Sequence, residues 1–287
     1  MGKKSCIVVD SSSNVLNNDY NNIFMVPLHI TKILNNQETL YKDLLDINTS
    51  NLIKELHDNP NVVFKSSQTS LGEMLDTLDK LTKEYEIIYI WPISKGLSGS
   101  INTWQIAKND YPNCDINIID SGHISVGIKD KVIQMSKMID DNKTKEEILE
   151  FANSGHNKWY GMLNVNDLTQ LKNGGRINSV KAFIANALKL NILISYDGKL
   201  DFVSTEKNFD KSIDKMLDFI DSKINFRKNG IKKAYMYTTY IDMQKNDEIK
   251  EKISSKINFK IDDIHFFPAV IALHTGCATF GIYIETN

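Results

Sequence analysis

The stretch Cys6-Ile7-Val8-Val9-Asp10, running into Ser11-Ser12-Ser13-Asn14, decides how the chain is read. Four apolar residues end in an acid and then in turn and capping residues, the pattern of a short buried strand that stops at a polar loop. Working outward, the same word recurs as Ile87-Ile88-Tyr89-Ile90-Trp91-Pro92 ahead of Ser94 to Ser100, and as Ile116-Asn117-Ile118-Ile119-Asp120-Ser121. Helical candidates lie between and after these words. They are Leu71 to Glu84, with Leu71, Leu75, Leu78 and Leu81 at helical spacing and Thr69 or Ser70 as its cap, then Ser100 to Asn109, Ser125 to Asp141, and Thr144 to Ser154, where Thr144 and Glu147 have capping-box spacing. Buried runs alternating with helices predict an α/β class with a mainly parallel sheet covered on both faces. The loops after Asp10, Pro92 and Asp120 then share the C-terminal edge of one sheet, where open α/β sheets bind ligands.

Near Asn153 to Lys158 the chain turns polar and loses apolar periodicity, which predicts a domain boundary between 155 and 156. Beyond it, Tyr160 to Asn164, Ile192 to Tyr196, Leu200 to Ser204, Lys232 to Thr239, His265 to Leu273 and Thr279 to Glu285 read as strands, with Asp197-Gly198 as a hairpin turn. Val180 to Leu190, Ser212 to Lys223 and Gln244 to Ile253 read as helices.

With 287 residues, 41% of them hydrophobic, the chain is long enough for one large core or two packed domains. Its 34 basic and 36 acidic residues give a formal charge of -2 with no long block of either sign, which argues against nucleic-acid binding. Cys6, Cys114 and Cys277 are too few and too widely spaced for a disulfide framework or a thiolate cluster, and they fit a reducing compartment. The six histidines form no close metal-ligand spacing. The N-terminal stretch lacks the zones of a signal peptide, and no segment reaches the roughly 20 apolar residues that span a bilayer. The expectation is a cytoplasmic protein without metal or cofactor.

Four polar words could carry function. Ser66-Ser67-Gln68-Thr69-Ser70 precedes a helix and reads either as a plain N-cap or as an anion receiver. Ser94-Lys95-Gly96-Leu97-Ser98-Gly99-Ser100 is neither a Walker loop, a dinucleotide fingerprint nor a nucleophile elbow. Lys172-Asn173-Gly174-Gly175-Arg176-Ile177 suits a turn that projects a guanidinium, either into solvent or toward an anion. His274-Thr275-Gly276 closes an apolar run and places a histidine, a hydroxyl and a close backbone approach together.

Taken in order, Val9-Asp10-Ser11-Ser12, Val26-Pro27-Leu28, Ser66-Ser67-Gln68, Ser94 with Leu97-Ser98-Gly99-Ser100, Asp120-Ser121, Asp167-Leu168 with Leu171 and Gly174-Gly175-Arg176-Ile177, and His274-Thr275-Gly276 resemble the DegV family of bacterial fatty-acid-binding proteins. The resemblance implies an N-terminal α/β/α domain over 1–155 and a C-terminal mixed-sheet α/β domain over 156–287, with a long acyl chain held between or beneath them. It further implies that the acid is presented to a separate ATP-dependent fatty acid kinase, which forms an acyl phosphate for phospholipid synthesis, with transient membrane contact. On the same resemblance Ser66, Ser67, Ser94, Ser98, His274 and Thr275 look like carboxylate ligands. Arg176 looks like a transfer residue at the kinase interface, and Asp10, Ser11, Gly99, Ser100, Gly174, Gly175 and Gly276 like supporting loop positions. Ser66 and Ser100 stand where the family commonly has threonine, Thr69 where it often has proline, and Cys277-Ala278 where it has Pro-Gly. The alternatives are a stand-alone serine/histidine acyl hydrolase, which lacks an elbow motif here, and a regulatory lipid-binding protein with no kinase partner.

Overall fold

The computed structural model describes residues 4–16, 19–59, 61–120, 122–155, 158–166, 170–171 and 190–287. The chain divides into two units, Met1–Ile47 with Phe64–Ser154, and Asn48–Val63 with Gly155–Asn287. Asn48–Val63, expected with the first domain, belongs to the second unit.

In the first unit the elements are β1 (Ser5–Asp10), β2 (Ile23–Val26), β3 (His29–Leu34), β4 (Gln37–Lys42), β5 (Val63–Ser67), α2 (Leu71–Leu81), β6 (Ile87–Trp91), α3 (Ser100–Lys108), β7 (Asp115–Ile118), α4 (Val126–Asp140) and α5 (Lys145–Asn153), while the intervening α1 (Thr49–Asp58) is part of the second unit. One sheet has the order β2-β1-β6-β7 and is parallel throughout, with Ile7 opposite both Ile23 and Tyr89. Alternation along β1 sends Ile7 and Val9 into a core with Ile128, Val132 and Met135 of α4. Cys6 and Val8 enter another with Met74 and Leu78 of α2 and Trp104 of α3. A strand buried on both faces therefore reads as a continuous apolar run. The remaining strands form a small sheet of order β4-β3-β5. Its β3–β4 hairpin turns on Asn35 and Asn36, both at positive φ, as a two-residue turn of primed type requires.

The second unit contains β8 (Trp159–Val165), β9 (Asn191–Tyr196), β10 (Leu200–Glu206), α6 (Phe209–Ile224), α7 (Phe226–Asn229), β11 (Ile231–Thr238), α8 (Met243–Ile257), β12 (Ile264–Phe266), α9 (Ala269–Thr275) and β13 (Thr279–Thr286). Its sheet runs β10-β9-β8-β13-β11-β12 and is antiparallel except for the β11–β12 pair. Met162, Leu193, Met236, Phe280 and Ile282 pack with α6 and α8. A row of rings also crosses the strands, with Trp159 stacked on Tyr283 at 5.5 Å between centroids, and Tyr196 and Tyr235 continuing it on either side.

One strand reading is corrected. His265 to Leu273 is not a strand, because β12 ends at Phe266 and α9 begins at Ala269, after Pro268. Five consecutive buried residues, Ala269 to Leu273, leave no polar face for helical periodicity to show, and a short buried run cannot be told from a strand by pattern alone. Pro268, with its fixed φ and no N–H, suits the start of a helix.

Gly281 on β13 is closely packed on its side-chain side. A Cβ there would lie 2.9 Å from Leu163 Cδ2, 3.2 Å from the Met162 carbonyl oxygen and 3.3 Å from Phe267 Cζ. Gly281→Ala should destabilise the protein by about 1–3 kcal/mol, the usual cost of overpacking. The check is the urea midpoint at constant m-value, and an unchanged midpoint would show that this part of the core yields freely.

Candidate functional site

β1 and β6 are neighbours, with β2 beyond one and β7 beyond the other, so the strand order reverses between them. The loops after β1 and β6 therefore start side by side at the C-terminal edge of the sheet, the usual position of a ligand crevice in this architecture. Asp10 joins them. Its Oδ2 accepts the Ile93 N–H at 2.7 Å, and its Oδ1 accepts the Ser12 N–H at 3.1 Å together with the Ser12 hydroxyl. Ser11 extends the joint sideways, accepting the Leu28 N–H at 3.1 Å and donating to Asp43 Oδ2 at 2.7 Å. Both residues are buried, so they shape the loops from beneath. Burial pushes the Asp10 carboxyl up to about 6, against the hydrogen bonds from Ile93 and Ser12, which favour its charged form.

Two serine-bearing segments belong to the same unit. Ser66 and Ser67 end β5, one half-buried and one exposed. Thr69 turns away to donate to the Pro27 carbonyl at 2.8 Å, and Ser70 caps α2 in a reciprocal capping box with Glu73. After β6, the Ser94 carbonyl accepts both Leu97 N–H at 2.9 Å and Ser98 N–H at 3.2 Å, and the Ser94 hydroxyl accepts Gly96 N–H at 3.3 Å. Ser98 Oγ accepts the Ser100 N–H at 3.2 Å, which uses a lone pair and leaves the O–H proton to donate. Gly99 stands at the N-cap of α3 and supplies no capping side chain. The Ser100 hydroxyl is buried and has no hydrogen-bond partner among the described residues. Gln68 crosses from the first segment to the second, its Nε2 donating to Thr103 Oγ1 at 2.6 Å.

Ser66, Ser67, Ser94, Ser98, Gly99, Ser100, Asp10 and Ser11 thus all belong to the first unit. His274, Thr275 and Gly276 belong to the second, at the C-terminal end of α9. His274 is half-buried, and Thr275 is buried with its hydroxyl directed at the Ile271 carbonyl at 3.4 Å. Gly276 stops the helix at φ 80° and ψ -174°, a region that only glycine occupies readily. Its N–H donates to the Ala272 carbonyl at 2.9 Å. Helix α1 packs against α9, and the Thr49 hydroxyl donates to the Phe267 carbonyl, so the helix carrying His274 is anchored from a segment more than 200 residues earlier, the pair being 218 positions apart. Arg176, Gly174 and Gly175 lie outside the described residues. Asp43 and Thr103 were not singled out by sequence, since an isolated acid and an isolated threonine carry no local signal. Among the described residues no group of three or more His, Cys, Asp or Glu is arranged to hold a metal ion, and no helix is long and apolar enough to cross a membrane.

The sequence profile of a family described as uncharacterised proteins of the DegV family matches residues 4–287. A DegV domain-containing protein of Ureaplasma parvum is 34% identical over 211 residues, covering 73% of this chain and 98% of that protein. One of Mycoplasma genitalium is 26% identical over 286 residues, covering 98% of each. In three dimensions the chain is similar to a fatty-acid-binding DegV family protein from Thermus thermophilus and to DegV, a fatty acid binding protein from Bacillus subtilis. Each superposes with a TM-score of 0.83 at 21% identity, over 99% of this chain and 100% of the other. A stearic-acid-binding protein from Eubacterium ventriosum gives 0.81 at 22% identity, over 100% of this chain and 98% of that one. At these identities the structural likeness establishes the fold.

The raised Asp10 carboxyl makes a signed prediction. Between the ordinary value of 3.8 and about 6 the folded state holds a proton that the unfolded state has lost, so this group's contribution to stability falls as pH rises through that window. Measured by urea unfolding, the stability of the wild type minus that of Asp10→Asn should decline from about pH 4 to about pH 6 and level off above. A difference that rises with pH would show instead that the fold prefers the charged carboxylate.

Proposed function

The chain belongs to the DegV family, and we propose that it is a carrier that encloses a long-chain fatty acid and holds the carboxylate through hydroxyl and imidazole donors. The observation that supports this best is the open start of α3. Gly99 brings no cap, the Ser98 proton is available, the buried Ser100 hydroxyl lacks a partner among the described residues, and Gln68 latches the Ser66-Ser67 strand end alongside. A helix start with unused donors receives an anion, and a carboxylate, which only accepts, matches hydroxyl donors. Ser66, Ser67, Ser94 and Ser98 are the proposed donors of the first unit, and His274 and Thr275 those of the second. The fatty acids bound by the structural neighbours from Thermus thermophilus and Bacillus subtilis point to the same ligand class.

Burying about fourteen to eighteen carbons at roughly 0.8 kcal/mol per methylene contributes on the order of 10 kcal/mol before the costs of ordering the chain and of association. That retains the ligand without choosing its head group, so selectivity falls to the hydroxyls. The finer part of the proposal follows the family resemblance: the bound acid is presented to a separate ATP-dependent kinase for acyl-phosphate formation, with Arg176 neutralising the phosphoryl charge.

Ser98→Ala and His274→Ala should each weaken binding of a fluorescent fatty acid by roughly 5- to 30-fold while circular dichroism stays unchanged. Unaltered affinity in both would remove these residues from the site, and turnover of acyl esters by the wild type would favour a hydrolase. Arg176→Ala should lower phosphoryl transfer by the cognate kinase at least tenfold more than it lowers fatty-acid affinity. Equal losses in the two assays would reduce Arg176 to a binding role.

A further inference from the structure

Residue 99 has φ -77° and ψ 0°, a conformation open to any L-amino acid, so the backbone does not require glycine there. The space beside it is taken by one side chain: a Cβ on residue 99 would stand 3.0 Å from Gln68 Oε1, so the Gln68 amide would have to give by a few tenths of an ångström. The Gln68 amide therefore lies directly across Gly99, with its Nε2 on Thr103 Oγ1 at 2.6 Å in the first turn of α3. The next two side chains in the segment turn the other way, Thr69 to the Pro27 carbonyl and Ser70 to Glu73. Gln68 thus ties the end of β5 to the start of α3, over a sequence separation of 35 residues.

We propose that Gln68 is a positioning residue that sets the spacing between the Ser66-Ser67 strand end and the Ser98–Ser100 helix start, and thereby makes the site prefer a carboxylate to an alcohol. This rests on the fatty-acid reading above. A carboxylate has two oxygens and can be held from both segments at once, whereas a primary alcohol has one oxygen and is held from one segment. Loss of the tie frees the segments to separate, which costs the two-point ligand its second contact and leaves the one-point ligand largely unaffected. Gly99 belongs to the same device, because it keeps clear the path that the Gln68 amide takes.

The test titrates the full-length protein with a saturated long-chain fatty acid and with the alcohol of the same chain length. Gln68→Met and Thr103→Val, both close in size to the residues they replace, should each weaken the acid about tenfold and the alcohol by less than about twofold. The double variant should bind the acid no worse than either single one, since both remove the same bond. Gly99→Ala should weaken the acid in the wild-type background and be nearly neutral in Gln68→Ala, where the obstructing amide is gone. Thermal melts accompany each variant, and if Gln68→Met does not fold, Thr103→Val carries the measurement. A wild type that prefers the acid alongside folded variants that keep that preference, or that lose acid and alcohol equally, overturns the role of Gln68 alone. A wild type that binds neither ligand overturns the fatty-acid reading and the head-group role of Gln68 with it.

Discussion

A single buried carboxylate ties together the loops at the C-terminal edge of the first unit's parallel sheet. Asp10 sits at the end of β1, 83 residues from Ile93, and accepts that residue's N–H while also accepting both donors of Ser12. Burying a carboxylate is unfavourable, and here backbone and hydroxyl donors offset part of that cost. The same requirement fixes two loops relative to each other, because neither Ile93 nor Ser12 can move without leaving the carboxylate short of a partner. Ser11 and Asp43 extend the constraint to the loop between β2 and β3 and to the end of β4. The serines after β6 follow directly on Ile93, the residue that this carboxylate holds.

The two units meet the burial requirement in different ways. The parallel sheet of the first is covered on both faces, so β1 is apolar at every position from Cys6 to Val9 and its side chains divide between two cores. The sheet of the second places aliphatic residues against α6 and α8, and a row of large rings reinforces its strands. This second arrangement also positions α9, whose residues from Ala269 to Leu273 are all buried and whose last turn carries His274. Gly276 ends that helix in a conformation closed to other residues, which accounts physically for a glycine directly after His274-Thr275.

Local chemistry was legible wherever it involved near neighbours. The Thr144–Glu147 capping box forms as its spacing predicts, and of the two cap candidates for α2 it is Ser70 that caps, in a second box with Glu73. The Asp197-Gly198 hairpin and the three buried strand words also appear in place, as β9–β10 and as β1, β6 and β7. The region from β2 to β5 gave little, because β4 is exposed at nearly every position and shows no alternation, and in so asparagine-rich a chain the Asn35-Asn36 turn does not stand out.

What the sequence determined by itself is the α/β alternation, the strand ends that carry serines, and the helix starts, since these depend on burial period and on hydrogen bonds a few residues long. Tertiary structure alone decided that α1 joins the second unit, that residues 269–275 are helical, and that Gln68 reaches Thr103 while Ser11 reaches Asp43. The physical reason is common to all of these. Each depends on a partner at least 32 positions away or on burial from every side, and neither leaves a periodic trace in the local sequence.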